Sequence, residues 1–182
     1  ARKTKLELFD DRRLALEAIK MGIRSEDLKG MNEKAPGFFD SLFHTPELYL
    51  DLLESVVYAV SASGQGIIIG HGSQVLLREF GCAFHVRVHA SDAYRVQQVM
   101  RDHGLSREGA EKMIRKSDNE RRGFLRFAFQ MDWNDPSLYD LVVNTEKLGV
   151  EGSADLIGRA LGLQVVQECG LSALDTMERM TL

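Results

Sequence analysis

The stretch GQGIIIGHGSQ at residues 64–74 decides how the chain is read. Between Gly66 and Gly70 stand three isoleucines, a short run of β-branched residues bounded by glycine. Such a run fits a fully buried parallel strand, whose two covered faces remove the need for polar alternation. The Gly70-His71-Gly72 segment then allows a sharp turn, and in open α/β sheets ligands collect beyond the carboxyl ends of the strands. Two readings of His71 follow. It is placed to meet a substrate group, or it is an ordinary surface residue carried by a glycine turn. The GxG pattern does not choose between them, being neither a Walker loop nor a full dinucleotide fingerprint.

Working outward, two more runs read as strands, AFHVRVHA at 83–90 and LYDLVVNT at 138–145. Between them DAYRVQQVMRDHG reads as a helix ending on Gly104, and SREGAEKMIRKSDNERRGFLRFAF as a helix opened by the capping hydroxyl of Ser106. SADLIGRAL reads as a helix after the last run. Upstream, KLELF at 5–9 alternates like a short edge strand, Asp10 and Asp11 cap a helix beginning at Arg12, and Gly22 stops it. SEDL at 25–28 marks a second small helix, and residues 29–44 form a connection holding Gly, Pro and aromatics. Thr45 and Pro46 open a helix that places Leu48, Leu52, Val56, Val57 and Val60 on one core-facing side, with Gly64 and Gly66 as its stop. Strands alternating with helices predict a three-layer α/β sheet. One domain is expected over about 1–162, followed by a helix-compatible tail at 163–182.

The 182 residues, 44% hydrophobic and 27% charged, suit a globular domain with a real core. A formal charge of -4 argues against whole-protein attraction to nucleic acid or an anionic membrane. No apolar run approaches the ~20 residues a membrane span needs, and ARKTKLELFDDRR lacks the apolar core of a signal peptide. A soluble cytoplasmic protein is the expectation. Cys82 and Cys169 lack the paired spacing of a zinc knuckle or redox motif and read as reduced, buried filler. His44, His85, His89 and His103 have no metal partners at helix or strand spacing, so no metal site is expected.

Locally the sign of charge reverses, with ten Lys and Arg against six Asp and Glu over 84–126. Arg115, Asp118, Arg121 and Arg122 are spaced by threes and fours, so they can share one helix face. An aspartate among arginines can hold their planar forks in a pose that grips phosphate oxygens. The alternative is a solvated face whose ion pairs carry little energy. MDWNDPSLYD at 131–140 reads as a capped loop with Trp133 packed as an anchor.

Taken in this order, the segments resemble the cytidylate-kinase-like branch of the P-loop nucleoside monophosphate kinases over about residues 8–161. FDDRRLALEA resembles the segment after that family's second strand, with Asp11 at its aspartate. GQGIIIGHGSQ resembles the strand and turn written V-I-x-G-R-G, with His71 where the family has a substrate-binding arginine. GLSREGAEKMIRKSDNERRGFLRFAF resembles the lid, about 104–130, and DWNDPSLYDLVVNTEKLGVEGSADLI is similar to the branch's most recognisable ending. The resemblance implies a three-layer P-loop-kinase-like (Rossmann-like) parallel sheet with flanking helices. It also implies phosphoryl transfer from ATP, with Mg2+, to CMP or dCMP.

Carried over residue by residue, Arg121 would flank the transferring group with Asp118 orienting it, and Arg115 or Arg122 would assist. Asp11, Gly70, His71 and Gly72 would line the substrate side. The family's first strand and Gly-rich phosphate loop belong ahead of Lys5, where only ARKT stands, so both are expected to be missing here. His71 also replaces a permanently charged bidentate fork with an imidazole ring. Two expectations result: a kinase domain whose phosphate loop is supplied upstream, or a catalytically degenerate homologue used for regulation or partner binding. A sheet edge left open by the missing strand would invite a homodimer.

Overall fold

Short extended runs alternate with longer amphipathic ones along this chain, and the computed structural model describes residues 6–23, 46–62, 66–81 and 83–166. They form a mixed α/β structure with short parallel sheets, divided into two units: Ala1–Ala83 with Gly162–Leu182, and Phe84–Leu161.

In the first unit, β1 (Glu7–Phe9) pairs in parallel with β2 (Gly66–Ile68), Phe9 opposite Ile68. Asp10 ends β1 and caps α1 (Asp11–Lys20) by accepting the Arg13 backbone N–H at 2.9 Å. Helix α1 packs on β1 and on α2 (Pro46–Ser61). The helical period of both helices gathers Leu14, Ala18, Leu53, Val56, Val57 and Val60 into the buried set with Phe9 and Leu77. Full burial of each leucine or valine contributes about 1.5–3 kcal/mol, the main force holding this unit. After β2 the chain turns through Gly70, His71 and Gly72 into α3 (Ser73–Leu76). Tyr58 packs edge-on against Phe80 with ring centroids 5.7 Å apart. Its hydroxyl is pushed up to about 12, first by burial and then by Glu54.

The second unit pairs β3 (Val86–His89) in parallel with β4 (Leu141–Asn144), Val88 opposite Val143. Their connection contains a helical hairpin, α4 (Asp92–His103) and α5 (Arg107–Phe129), with Ser91 and Ser106 as N-caps. Val96 of α4 and Ala110 and Ile114 of α5 form its buried seam, with Val99 and Met100 packed alongside. Between α5 and β4, Asp132 accepts the Asn134 N–H at 2.9 Å and Asp135 accepts the Ser137 N–H at 2.9 Å, capping the 3-10 turn Pro136–Leu138. Trp133 is anchored as the sequence suggested: the Arg87 guanidinium lies 5.1 Å from its ring centroid and donates to its carbonyl at 3.0 Å. Helix α6 (Thr145–Leu161) packs on both strands.

Several local expectations change. The isoleucine strand is parallel but not fully buried: Ile67 and Ile68 are half-buried and Ile69 is 53% exposed. β2 pairs with one described strand, so fewer neighbours cover it than a central strand would have. Leu53, absent from the expected face of α2, is fully buried, whereas Leu52 is only partly so. The last helix begins at Thr145, eight residues before the expected serine, and breaks at Gly149 (φ 65°, ψ 171°). The small helix at 25–28, the connection at 29–44, the Thr45 cap, the Gly64 stop, both cysteines and most of the tail lie outside the described residues.

Gly66 is required by close approach. A Cβ there would stand 2.8 Å from Cε2 of the buried Phe9 ring. Gly66→Ala is expected to destabilise the protein by about 1–3 kcal/mol, read as a lower urea midpoint. A second expectation concerns acid. Hydrogen bonds from Ser91 hold the Glu146 carboxyl below its ordinary value of 4.5. A depressed folded value means that the contribution is complete above pH 4.5 and is lost as pH falls through the folded value. Glu146→Gln should therefore flatten that part of the acid limb in a plot of urea midpoint against pH.

Candidate functional site

Helix α5 carries the expected arginines, and its packing sorts them. Ala110, Ile114 and Leu125 follow a helical stripe that turns inward, and Asp118 and Arg121 occupy the same stripe at i+4 and i+7 from Ile114. Asp118 is accordingly buried, its side chain 13% exposed, and Arg121 is half-buried. Arg115, by contrast, is 66% exposed and pairs with Glu111 at 3.5 Å on the outer face. Arg122 is also exposed. The four residues therefore do not form one closed cluster.

The residue missing from the sequence reading is Arg95 on α4. Its Nη1 donates to Asp118 Oδ2 at 2.8 Å and its Nη2 to Asp118 Oδ1 at 2.7 Å, a two-pronged pair across the helical hairpin. Asp118 raises the Arg95 guanidinium above its ordinary value, chiefly through these hydrogen bonds. The expected arrangement, in which Asp118 orients Arg121, is thus replaced: both carboxylate oxygens face Arg95. Arg121 donates to the Ser117 hydroxyl at 2.8 Å. Arg122 donates to the Asp118 carbonyl and to Asn119 Oδ1, each at 3.4 Å. These partners are neutral, so they orient the two guanidinium groups without cancelling their charge. Arg95 is separated from Asp118 by 23 residues, and no local periodicity could have paired them.

In the first unit, parallel pairing finishes β1 and β2 at the same end, and each strand then delivers one polar side chain. Asp11 comes two residues after Phe9 and His71 three after Ile68, and His71 Nε2 meets Asp11 Oδ1 at 2.8 Å. A carboxylate only accepts, so Nε2 carries the shared proton. The imidazole is fully buried (0% exposed), which removes the surface reading of His71. Its backbone has φ 60°, between Gly70 at 79° and Gly72 at 65°. A non-glycine residue seldom adopts that left-handed conformation. Gly70 is exposed, whereas Gly72 is buried and caps α3.

Among the described residues, no group of three or more His, Cys, Asp or Glu side chains comes together as a cation site. Mg2+ in nucleotide enzymes is commonly held by one or two carboxylates, waters and the substrate's own phosphates. The described residues form no protein cage for it. Also among these residues, no helix is long and apolar enough to cross a membrane.

Comparison with known proteins adds two findings. The profile of the cytidylate kinase-like family matches residues 1–147. The structure is similar to the crystal structure of an uncharacterized protein from Eubacterium ventriosum ATCC 27560, with a TM-score of 0.65 and 18% identity, covering 89% of this chain and 87% of that one. Identity at that level supports likeness of fold alone. No curated protein matches the chain.

The Asp11–His71 contact yields a direct test. Asp11→Ala takes the carboxylate acceptor from a buried donor and should cost about 1–3 kcal/mol of unfolding free energy. Asp11→Asn, which keeps an acceptor oxygen, should cost less in the same denaturation series.

Proposed function

The chain belongs to the cytidylate kinase-like family, and on that premise we propose that it is a nucleotide-binding domain whose arginine-bearing helix α5 grips phosphate oxygens. Arg121 is the principal contact, Arg122 and Arg115 assist, and Asp118 belongs to the support beneath them. The observation that carries this reading is the charge state of α5. Its one buried carboxylate is engaged by Arg95, while Arg121 and Arg122 rest on neutral oxygens. Guanidinium forks so held match phosphate geometry and exchange a weak neutral partner for a charged one.

With a Gly-rich phosphate loop upstream, the reaction proposed is transfer of the γ-phosphoryl group of ATP to CMP or dCMP, in the cytoplasm. The three-layer P-loop arrangement of the family is part of this proposal, with residues 104–130 as its lid. Phosphoryl transfer depends chiefly on positioning and neutralisation of charge. The arginines supply both by holding phosphate oxygens in line and offsetting the negative charge that spreads over them. Asp11, Gly70, His71 and Gly72 are proposed as substrate-binding residues on the family resemblance alone.

One observation favours a second reading. His71 is fully buried and shares its proton with Asp11, so two of the proposed substrate residues are committed to each other. That suits a nucleotide-responsive regulatory or interaction module that performs no transfer.

Calorimetric titration with CMP, dCMP and ATP at low salt tests the proposal. Binding is expected, and Arg121→Ala should weaken it about tenfold, the scale of one lost charged hydrogen bond. Absence of binding by the folded wild-type chain would refute nucleotide recognition. Phosphate release or CDP formation, followed by 31P spectroscopy on a chain carrying the upstream loop, separates the kinase from the regulatory module.

A further inference from the structure

Asp118 precedes Arg121 by three residues and Arg122 by four, the two spacings at which side chains on a helix meet. An uncommitted carboxylate there would draw in whichever guanidinium was nearest, and burial would strengthen the attraction. Asp118 has 13% of its side chain exposed and Arg95 30%, so the pair is partly shielded from solvent rather than a fully exposed surface pair. Packing of Val96 against Ala110 and Ile114 sets α4 against α5. It places Arg95, the residue before Val96, opposite Asp118, one turn beyond Ile114. Both Asp118 oxygens then receive Arg95 nitrogens at 2.7 and 2.8 Å.

We infer that Arg95 is a positioning residue for phosphate recognition: by occupying both oxygens of Asp118, it keeps that carboxylate from capturing Arg121 and Arg122. The inference rests on the nucleotide-binding reading and deepens it. Arg95 need not touch the nucleotide. Its role requires a planar fork, because two parallel N–H bonds engage both carboxylate oxygens and offset their charge, whereas a lysine ammonium acts as a point charge. A purely structural brace would predict something different, since removal of either partner would then harm binding only through loss of the fold.

The test combines ATP titration, without added metal, with arginine side-chain NMR on the wild type, Arg95→Met, Arg95→Lys and the double variant Arg95→Met with Asp118→Asn. Arg95→Met should weaken ATP binding about tenfold, and Arg95→Lys by less. The double variant should recover most of the loss even though its thermal midpoint stays below wild type. In the spectra, the guanidinium signals of Arg121 or Arg122 should become slowly rotating in Arg95→Met and return to their wild-type behaviour in the double variant. Wild-type affinity in Arg95→Met would overturn the inference, as would a double variant as weak as the single one. Should Arg95→Met fail to fold, the double variant decides: affinity within about threefold of wild type supports the inference, and a tenfold loss overturns it. The spectra require no nucleotide. Failure of the wild type to bind ATP would therefore strike the nucleotide reading, while Arg95 would still be judged on the Arg121 and Arg122 signals.

Discussion

In both units two short strands run parallel, so their carboxyl ends finish side by side and the polar residues that follow are brought together. Antiparallel pairing would have sent those residues to opposite ends. The consequence in the first unit is Asp11 beside His71, each a few residues past a strand. In the second unit Glu146, just after β4, accepts the Ser91 N–H just after β3, and the Thr145 hydroxyl donates to the His89 carbonyl. Parallel strands also need long crossovers. The β3–β4 crossover is where the α4–α5 hairpin, and with it every arginine of the candidate phosphate site, resides.

The ion pairs of that hairpin differ greatly in weight. Arg107, Arg115 and Lys116 meet acidic partners one turn away at 3.5–3.9 Å, with the basic side chains about two-thirds exposed. Such pairs contribute about 0.2–1 kcal/mol at most and weaken in salt. Arg95 and Asp118 are aligned and doubly hydrogen-bonded, with Asp118 largely shielded and Arg95 30% exposed. Breaking the pair from one side therefore costs more than an outer pair but less than the about 3–5 kcal/mol of a fully buried one, because water reaches the arginine. This difference makes Asp118 part of the architecture of the hairpin and leaves Arg107 and Arg115 in weak, solvent-exposed pairs with Glu111.

The turn at His71 combines strain with burial. A left-handed backbone at a non-glycine residue costs on the order of 1–3 kcal/mol. Complete burial of the imidazole and its bond to Asp11 offset that cost. The flanking glycines confine the strain to a single residue, since they adopt positive φ freely.

Much of this was legible in the chain itself. The capping Ser106, the stop at Gly104, the three strand runs, the capped loop at 131–140, and the reversal of charge over 84–126 depend on neighbours within a few residues. Local periodicity and local hydrogen bonding therefore determined them. The family was legible too, because its motifs keep their order. Tertiary structure alone decided that Asp118 faces Arg95 rather than Arg121, that His71 is buried against Asp11, and that the isoleucine strand is only half covered. Each depends on which segments pair across tens of residues. A linear pattern says which side of a helix or strand a residue occupies, but the packing of Val96 against Ile114 and the register of β1 against β2 determine what stands opposite it.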